Sequence, residues 1–334
     1  MVTIKEVAKE AGVSIATVSR VINGSTQVSE EKRKRVLKAM QKLGYKPRPS
    51  YRKNSELFGT IGVVLPNLSA YHYPNILTGI YEKAFNKGYD VMVALAKDRP
   101  MREKEILDEY FNRKVDGVLV CTLKCDEHFM QKFIDSGIPV VGVDYPVEEV
   151  HIDSVNIDNI MGAYAAMRYL SSKGHRKIFY IRGTQNVYAS RDREKGIAKY
   201  LQRHKEVEVI MSKIVGFDPE DGYEAVMRYF NSHANITAIF CANDYVALGA
   251  VKALSKLGLK VPDDISVMGF DDSPFASFVI PSLTTVRQPR EEMGSLAAQL
   301  LIERLEASKN SIYRNVVLPT EIVERESVKA LERQ

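Results

Sequence analysis

Several features that would place a protein in a common class are missing from these 334 residues. No apolar run approaches the roughly 20 residues that a membrane-spanning helix needs. Lys5, Glu6, Lys9 and Glu10 interrupt the stretch in which a secretory signal peptide would carry its apolar segment. We therefore expect a cytoplasmic protein that has no membrane partner.

Cysteine is also scarce, with only Cys121, Cys125 and Cys241 in the whole chain. Such low usage fits a reducing compartment, where disulfide bonds rarely persist. Cys121 and Cys125 have C-x3-C spacing, but no second Cys or His pair follows at zinc spacing. We expect the cysteines to be small buried hydrophobic residues, and we expect no metal and no cofactor.

The motifs of common enzyme classes are missing as well. The sequence has no G-x-G-x-x-G after a strand, no Walker loop, no H-E-x-x-H and no G-x-S-x-G. Asp271 and Asp272 are adjacent in the chain, so they do not form a general acid-base pair across a cleft. We therefore expect no catalytic residue and no enzyme.

What the chain does contain is an uneven distribution of charge. Residues 1–60 carry 13 Lys and Arg against 5 Asp and Glu, a net charge of +8. The remaining residues carry 34 basic and 37 acidic side chains, a net charge of −3, so the overall +5 hides a basic head. A concentrated positive field is what a polyanionic partner needs.

The basic head is predicted to begin with two short helices separated by a tight turn. Thr3 and Glu6 form a capping box before an apolar-periodic run. Gly12 can end that first helix in the left-handed conformation. Ser14 can then cap a second helix that extends over residues 15–22.

A third helix completes the head. Ser29 can cap it through its side-chain oxygen, and Gly44 can end it because glycine, without a Cβ atom, commonly follows a helix. Helix, glycine turn, helix and third helix is the helix-turn-helix arrangement. The residues of the third helix that we expect to face the core are Val36, Leu37, Met40 and Leu43.

The exposed face of the second helix carries short side chains and one guanidinium group. Arg20 suits a guanine edge, and Ile15 or Ala16 suits a thymine methyl group. Thr17 and Ser19 suit phosphate or base contacts. An ordinary solvated three-helix bundle is the alternative, but the +8 charge and the short side chains argue against it. We predict that this helix binds the major groove of double-stranded DNA.

The order of residues in the head resembles the lactose/galactose repressor family of bacterial transcription factors. The stretches that carry the resemblance are T-I-K-E-V-A-K-E-A-G-V-S-I-A-T-V-S-R-V-I-N-G and S-E-E-K-R-K-R-V-L-K-A-M-Q-K-L-G-Y-K-P. The likeness continues over nearly the whole chain. It implies that Ile15, Ala16 and Arg20 read bases and that a dimer places two heads on a palindromic operator. The full predicted DNA-binding set is Thr3, Ser14, Ile15, Ala16, Thr17, Ser19, Arg20, Asn23 and Arg52.

The segment after the head departs from the family pattern. Proline and charge predict a linker over residues 47–59 that stays disordered without DNA. In the family this segment folds into a hinge helix on DNA and inserts a leucine into the minor groove, which kinks the DNA. Asn54 stands where that leucine is expected, and Leu57 or Phe58 is the alternative wedge. The resemblance therefore does not carry hinge-helix insertion over to this chain.

Beyond the linker, strand-like and helix-like runs alternate, which predicts parallel sheets with right-handed crossovers. The predicted fold class is α/β: an N-terminal all-α helix-turn-helix head plus a two-lobed periplasmic-binding-protein-like body of doubly wound parallel sheets. The strand-like runs are 60–65, 90–94, 117–121, 140–143, 177–181, 208–210, 238–241 and 266–269. The helical stretches are 74–86, 102–112, 161–173, 193–202, 222–231, 244–257 and 293–306.

These elements predict three domains. They are the DNA-binding head 1–46, the hinge 47–59, and an effector-binding and dimerisation body 60–334, whose N-terminal lobe is about 60–159 and 290–317 and whose C-terminal lobe is about 160–287 and 318–330. The sequence has no leucine heptad tail of the kind that makes tetramers, so we expect a homodimer.

Polar and aromatic residues follow the predicted strands, where doubly wound folds bind their ligands. Aromatic faces together with Asp, Asn, Arg and Gln suit a ring that bears several hydroxyl groups. Matching family motifs imply effector binding by Asp144, Arg193, Asn243 and Asp271. The predicted effector set is Ser69, Tyr71, Tyr73, Asp144, Arg193, Phe217, Asn243, Asp271 and Gln288.

Other interpretations of these residues stay open. Tyr71 and Tyr73 could instead pack at a lobe edge, and we expect Asp244 to cap the helix that follows it. The predicted function is a ligand-responsive repressor of sugar-utilisation genes, with a small sugar between the lobes. A purine or other non-sugar effector is the alternative, and a sugar-binding receptor is a further one, although the basic head has no role there. The sequence does not choose between induction and corepression.

Overall fold

The protein is described from a computed structural model. The chain forms two compact units, Met1–Phe58 and Gly59–Gln334. The structure describes residues 4–14, 17–18, 21, 28–43, 59–68, 71–97, 99–121, 127–145, 150–230, 235–306 and 312–331.

The first helix of the N-terminal unit spans Ile4–Ala11. Gly12 follows it with φ +61°, and the Val13 N–H donates to the Ala8 carbonyl oxygen at 3.1 Å. A left-handed glycine with this back-reaching hydrogen bond is the usual end of a helix. The prediction for Gly12 is confirmed, and an Arg35 N–H donates to the Gly12 carbonyl oxygen at 3.2 Å.

The second helix of the head is described in part. Thr17, Val18 and Val21 have helical backbone, and both valines are buried. The Thr17 N–H donates to Ser14 Oγ at 3.2 Å, which confirms that Ser14 caps this helix. The predicted partner of the capping box at the first helix, Thr3, lies outside the described residues.

The third helix spans Glu30–Lys42, and its inward stripe differs at one position from the prediction. Leu37 was expected to face the core, but 52% of its surface is exposed. A helix buries positions spaced by three and four residues, and Leu37 lies beside that stripe. The residues on the stripe are buried Val36 and Ala39 and partly buried Met40 and Leu43.

The larger unit combines twelve strands with seven helices of more than ten residues among the residues that the structure describes. The strands are β1 (Gly59–Leu65), β2 (Tyr89–Leu95), β3 (Gly117–Val120), β4 (Val140–Val143), β5 (Asp153–Ile157), β6 (Lys177–Arg182), β7 (Glu208–Val215), β8 (Ala238–Cys241), β9 (Ser266–Met268), β10 (Thr285–Arg287), β11 (Asn315–Leu318) and β12 (Glu321–Val323). The long helices are His72–Asn86, Pro100–Arg113, Asn159–Ser172, Tyr188–Arg203, Pro219–Phe230, Asp244–Lys256 and Arg290–Glu306, and a short one spans Gln131–Asp135.

The strands form two parallel sheets and a small antiparallel pair. The first sheet has the order β11-β5-β4-β3-β1-β2, and the second has the order β7-β6-β8-β9. All neighbours in both sheets are parallel, which confirms the predicted fold class. In each sheet the order reverses beside the first strand of that sheet, at β1 or β6, and such a switch point is where this architecture binds ligands.

The chain passes between the two parallel sheets three times. It leaves the first sheet after β5, returns from β10 through the Arg290–Glu306 helix to β11, and leaves again from β11 to β12. Strands β10 and β12 pair with each other, and the Met268–Thr284 bridge attaches the segment before β10 to β9. The two sheets are therefore joined by three neighbouring strands of chain.

The Arg290–Glu306 helix is held against the first sheet through its packing on the His72–Asn86 helix. Gly79 and Gly294 lie at the crossing, where a Cβ atom on either would overlap the backbone of the other helix. Two glycines therefore allow the closest approach of the two helices. This contact ties a late segment of the chain to the sheet formed by the early strands.

A buried histidine ties the end of the chain to the second sheet. His175 is fully buried, its Nε2 lies 3.1 Å from the Lys329 carbonyl oxygen, and its Nδ1 lies 2.9 Å from Thr237 Oγ1. In the neutral ring Nε2–H donates to the carbonyl, so Nδ1 accepts from the threonine hydroxyl. Burial lowers the pKa of His175 to about 4, because the charged ring would lose its hydration.

This histidine predicts a loss of stability in mild acid. Between pH 6.5 and about pH 4, His175 is protonated in the unfolded chain but stays neutral in the folded protein. The free energy of unfolding therefore falls as the pH falls through this window. The expected contribution is about 3 kcal/mol. Urea unfolding of the wild type and His175→Gln at pH 7 and pH 4.5 measures it, and the variant should show the smaller pH dependence.

The exposed His151→Gln serves as the control, since it loses a histidine without losing a buried one. Equal pH dependence in the wild type and His175→Gln would show that another group is responsible.

Candidate functional site

Two of the residues predicted to contact DNA lie within the described part of the head. Ser14 is exposed, and its Oγ atom lies 2.9 Å from Thr17 Oγ1. Both hydroxyl groups are thus placed at the start of the second helix. The predicted DNA contacts that lie outside the described residues are Thr3, Ile15, Ala16, Ser19, Arg20, Asn23 and Arg52. The hinge position Asn54 also lies outside them.

The third helix of the head presents a positive surface. One of its cations, Lys42, forms an ion pair with Glu10 at 2.7 Å. The exposed charge along this helix is the electrostatic feature that a phosphate backbone attracts. The exposed cations earlier in the helix are Lys32, Lys34, Arg35 and Lys38.

In the body, the predicted effector carboxylates stand on unusual backbone. Asp144 directly follows β4 and has φ +56°, while Asp271 and Asp272 follow β9 with φ +120° and +53°. Non-glycine residues rarely adopt positive φ, although aspartate tolerates it better than most. Backbone strain of this kind persists where the surrounding structure fixes it, and it clusters at ligand sites.

Arg193 lies at the centre of the C-terminal half of the site and is held on several sides. Its Nε–H donates to Asn159 Oδ1 at 3.0 Å, and an Nη1–H donates to the Ala242 carbonyl oxygen. The guanidinium lies 3.6 Å from the centre of the Phe270 ring, a cation-π contact. Its Nη2 atom lies 3.8 Å from Asp271 Oδ1. The buried charge is therefore both fixed in position and balanced.

Gln288 and Asp271 form the next part of the same cluster. The Gln288 Nε2–H donates to Asp271 Oδ1, and Gln288 Oε1 is buried without a hydrogen-bond partner among the described residues. Arg290 donates from Nη2 to the Asp272 carbonyl oxygen at 2.9 Å, while its buried Nη1 has no partner within the described ranges. A buried polar group without a partner costs about 1–3 kcal/mol, so both atoms lower the stability of the ligand-free protein.

Asn243 links the cluster to Phe217. Its Nδ2–H donates to the Phe217 carbonyl oxygen at 3.0 Å, and its Oδ1 accepts from the Val246 N–H at 2.8 Å. The second bond caps the Asp244–Lys256 helix. Asn243 therefore spends part of its hydrogen-bonding capacity on positioning Phe217 and starting this helix.

The prediction that Asp244 caps this helix is wrong. The helix begins at Asp244 itself, so the capping position falls one residue earlier. The fully buried Asp244 carboxylate accepts from the Ser273 N–H and the Thr285 hydroxyl, each at 2.6 Å. Burial, and then the nearby Asp271 carboxylate, raise the pKa of Asp244. Its role is to fix the loop that carries Asp271.

In the N-terminal half of the site, Asp144 has a partner that the sequence did not identify. His72 Nε2 lies 2.7 Å from Asp144 Oδ2, and both side chains are mostly buried. The His72 ring also meets Tyr73 edge-on, with the centres 4.8 Å apart. Tyr73 packs on the main core, whereas 45% of the Tyr71 surface is exposed. The predicted contact Ser69 lies outside the described residues.

Aromatic residues connect the two sheets beside these groups. The rings of Tyr145, from the segment after β4, and Tyr188, at the start of the helix that carries Arg193, lie 5.3 Å apart and edge-on. Tyr245 contacts the Tyr71 backbone through its hydroxyl group. The carboxyl ends of the two sheets therefore face each other, with Asp144 on one side and Arg193 and Asp271 on the other.

Two of the three cysteines lie within the described residues. Cys121 and Cys241 are buried and free, which confirms the expectation for these two, and burial raises the pKa of both thiols. Cys125 lies outside the described residues. The described residues include no group of three or more His, Cys, Asp or Glu side chains that could hold a metal ion. None of the described helices is both long and apolar enough to cross a membrane.

Two family models match the chain in the order that the fold suggests. Residues 3–48 match the model for bacterial regulatory proteins of the lacI family. Residues 167–328 match a periplasmic binding protein-like domain. The first match covers the helix-turn-helix head, and the second covers the part of the body that contains Arg193, Asn243 and Asp271.

Relatives align over almost the full length of the chain. The ribose operon repressor of Halalkalibacterium halodurans is 33% identical over 335 residues, which cover 98% of both chains. The HTH-type transcriptional repressor PurR of Haemophilus influenzae is 33% identical over 341 residues, covering 99% of this chain and 100% of the relative. The chain belongs to the lacI family of bacterial regulatory proteins and is a DNA-binding transcriptional repressor.

Solved structures agree with this assignment. A complex of the transcriptional regulator CelR with cellobiose has a TM-score of 0.72 and 31% identity, and it covers 98% of this chain and 100% of its own. The lac repressor dimer bound to operator and the anti-inducer ONPF has a TM-score of 0.80 and 28% identity, with 98% and 99% coverage.

The cap at Asn243 predicts a specific stability effect. Asn243→Ala removes the acceptor for the Val246 N–H and should lower the free energy of unfolding by about 1 kcal/mol. Asn243→Ser keeps a capping hydroxyl and should restore most of that loss. Urea unfolding of the three proteins measures both effects, and equal losses in the two variants would mean that the cap is not the source.

Proposed function

We propose that this repressor controls sugar-utilisation genes and that a small sugar binds between the two sheets of its body. The observation that carries the proposal is the buried cluster of Arg193, Asp271 and Gln288, with Asp144 on the facing edge. A fixed guanidinium and carboxylates can hold vicinal hydroxyl groups, and the Phe217 ring can cover an apolar sugar face.

The charge balance of the site favours a neutral effector. The Arg193 charge is matched by Asp271 at 3.8 Å, and the Asp144 carboxylate is paired with His72. An added anion would meet two carboxylates, so a sugar fits better than an anionic ligand. Relatives support the class, since one is named a ribose operon repressor and another structure holds cellobiose.

A purine effector is the second candidate. A PurR repressor is as similar to this chain as the ribose repressor, at 33% identity over nearly the full length. Phe217 could stack on a purine as well as on a sugar ring. The carboxylates Asp144 and Asp271 favour the sugar, because hydroxyl donors are plentiful on sugars.

We propose the same division of labour along the chain that the sequence predicts: a DNA-binding head over 1–46, a hinge over 47–59, and a body over 60–334. The lobes are about 60–159 with 290–317, and about 160–287 with 318–330. The boundary between compact units after Phe58 supports the separation of head and body.

We further propose that the chain acts as a homodimer on a palindromic operator. The similar lac repressor structure is a dimer on its operator. Two large apolar side chains of the body, Phe278 and Ile280, are 84% and 93% exposed. We propose that they belong to the surface that the second copy covers, since contiguous exposed apolar area is typical of protein interfaces. A sugar would then act through its different affinities for two lobe arrangements.

An effector screen tests the sugar proposal. D-ribose or cellobiose should raise the melting temperature of the wild type, because binding to the folded state stabilises it. Asp271→Asn should weaken binding of that sugar by at least about tenfold, since it removes a charged acceptor, and it should also lower the melting temperature of the ligand-free protein, because Arg193 loses its buried counter-charge. The exposed Asp263→Asn is the control for the same chemical change. A response to hypoxanthine and to neither sugar would favour the purine alternative.

A gel-shift titration tests the DNA proposal. Arg20→Ala should weaken the operator complex by about 1–3 kcal/mol and relax base preference, as expected for a guanine contact. Lys38→Ala removes one exposed charge from the third helix, so it should weaken binding to operator DNA and to nonspecific DNA about equally. If the wild type binds operator no better than random DNA at physiological salt, the proposal for the head fails.

A further inference from the structure

The residue that follows Asp271 is held by more groups than its own charge requires. The Asp272 Oδ2 atom accepts from the Arg287 Nε–H at 2.7 Å, and its Oδ1 atom accepts from an Arg325 Nη2–H at 2.6 Å. Arg290 donates to the Asp272 carbonyl oxygen at 2.9 Å. A single arginine would be enough to neutralise one carboxylate. We refer to Asp272 and these three arginines as the Asp272 clamp.

The Asp272 carboxylate is ionised in this cluster. Burial opposes the charged form, but the hydrogen bonds from Arg287 and Arg325 outweigh burial and lower the pKa of Asp272. The two arginines differ in exposure, since 47% of the Arg287 side chain is exposed but only 17% of the Arg325 side chain. Solvent therefore screens the Arg325 contact less, and this contact contributes more to holding Asp272.

The clamp holds a backbone conformation that residues other than glycine rarely adopt. Asp271 has φ +120° and Asp272 has φ +53°. Such conformations persist only where the surrounding structure fixes them. In this conformation the Asp271 N–H donates to the Val286 carbonyl oxygen at 2.8 Å, and its carboxylate lies 3.8 Å from Arg193. The position of the Asp271 carboxylate therefore depends on the contacts of its neighbour.

The arginines of the clamp lie on segments that pass between the two parallel sheets. Arg287 is the last residue of β10, and Arg290 begins the helix that returns to the first sheet. Arg325 follows β12, and its Nη1–H donates to the Leu283 carbonyl oxygen at 2.8 Å. The clamp therefore attaches the loop that carries Asp271 to two of the three passages of the chain.

We propose that Asp272 and Arg325 are positioning residues for the effector, which hold the Asp271 carboxylate where it binds the ligand without touching the ligand themselves. The inference rests on the proposed effector role of Asp271. Because the clamp reaches the passages between the sheets, a bend of these passages moves the Asp271 loop and changes the effector affinity. By the same linkage, a bound effector favours the arrangement of the sheets in which the clamp is intact.

Hydrogen exchange tests the holding role without a ligand. Arg325→Lys keeps the positive charge but loses the guanidinium fork that bonds two acceptors at once. The amide protons of residues 271–273 should then exchange about tenfold faster, because the loop opens more often. Arg304→Lys is the matched control, since Arg304 also bonds a buried aspartate, Asp153, and a backbone carbonyl oxygen. It should leave exchange at residues 271–273 unchanged.

Two results of the exchange experiment would overturn the proposal. The first is unchanged exchange at residues 271–273 in Arg325→Lys, which would mean that the clamp does not hold the loop. The second is equal acceleration in Arg325→Lys and Arg304→Lys, because the effect would then be a general loss of stability.

Calorimetric titration with D-ribose, cellobiose and hypoxanthine tests the effect on the effector. A probe that binds the wild type should bind Arg325→Lys about tenfold more weakly, much as it binds Asp271→Asn, and should bind Arg304→Lys normally. The double variant Arg325→Lys/Asp271→Asn should bind no more weakly than Asp271→Asn alone, because Arg325 acts only through Asp271. Additive losses, or unchanged affinity in Arg325→Lys, contradict the positioning role.

Failure of the effector function and failure of the clamp give different results. If no probe binds the wild type, the effector function fails for these three ligands. The exchange experiment does not depend on that result, and it still decides whether Arg325 holds the loop that carries Asp271.

Discussion

The body's ligand side depends on the neutralisation of one buried cation. Arg193 donates to Asn159 and to the Ala242 carbonyl oxygen, and its plane rests on Phe270. Removing Asp271 from its side would leave a buried charge uncompensated, which is strongly destabilising in proteins. The start of the Asn159–Ser172 helix, the residue after β8 and the segment after β9 are therefore held in one arrangement. The contacts of this guanidinium fix the shape of the cleft before any ligand binds.

Much of this architecture follows from the sequence because parallel strands are buried on both faces. Strands β3, β4 and β8 are continuous runs of apolar residues, all buried, and such runs are recognisable without a structure. The helix ends in the head could be predicted equally well, since Gly12 and Ser14 act through local backbone chemistry. The predicted effector residues after β4, β8 and β9 came from the same logic.

Other elements could not be predicted because their stability comes from distant partners. Strand β5 begins with buried Asp153, a residue type that by sequence alone indicates a loop. Its burial depends on Arg304, far along the chain, whose Nε atom lies 2.7 Å from Asp153 Oδ2. His72 became part of the site only through Asp144. The predicted helix began at residue 193 and the observed one begins at Tyr188, so the first turn of the helix that carries Arg193 was missed. Short strands such as β10 and β12 have too few residues for a periodic signal.

The three passages of the chain between the sheets restrict how the body can move. They leave after β5, after β10 and after β11, and the Asp158 N–H donates to the Leu318 carbonyl oxygen at 3.1 Å where two of them run together. Neighbouring segments that run side by side can bend together about an axis that crosses them. They resist motions in which the two sheets twist or slide against each other. The relative motion of the two sheets should therefore be mainly this one bending motion. Any molecule that wedges or clamps the cleft, whatever its chemistry, then produces the same kind of displacement and differs from others only in its extent.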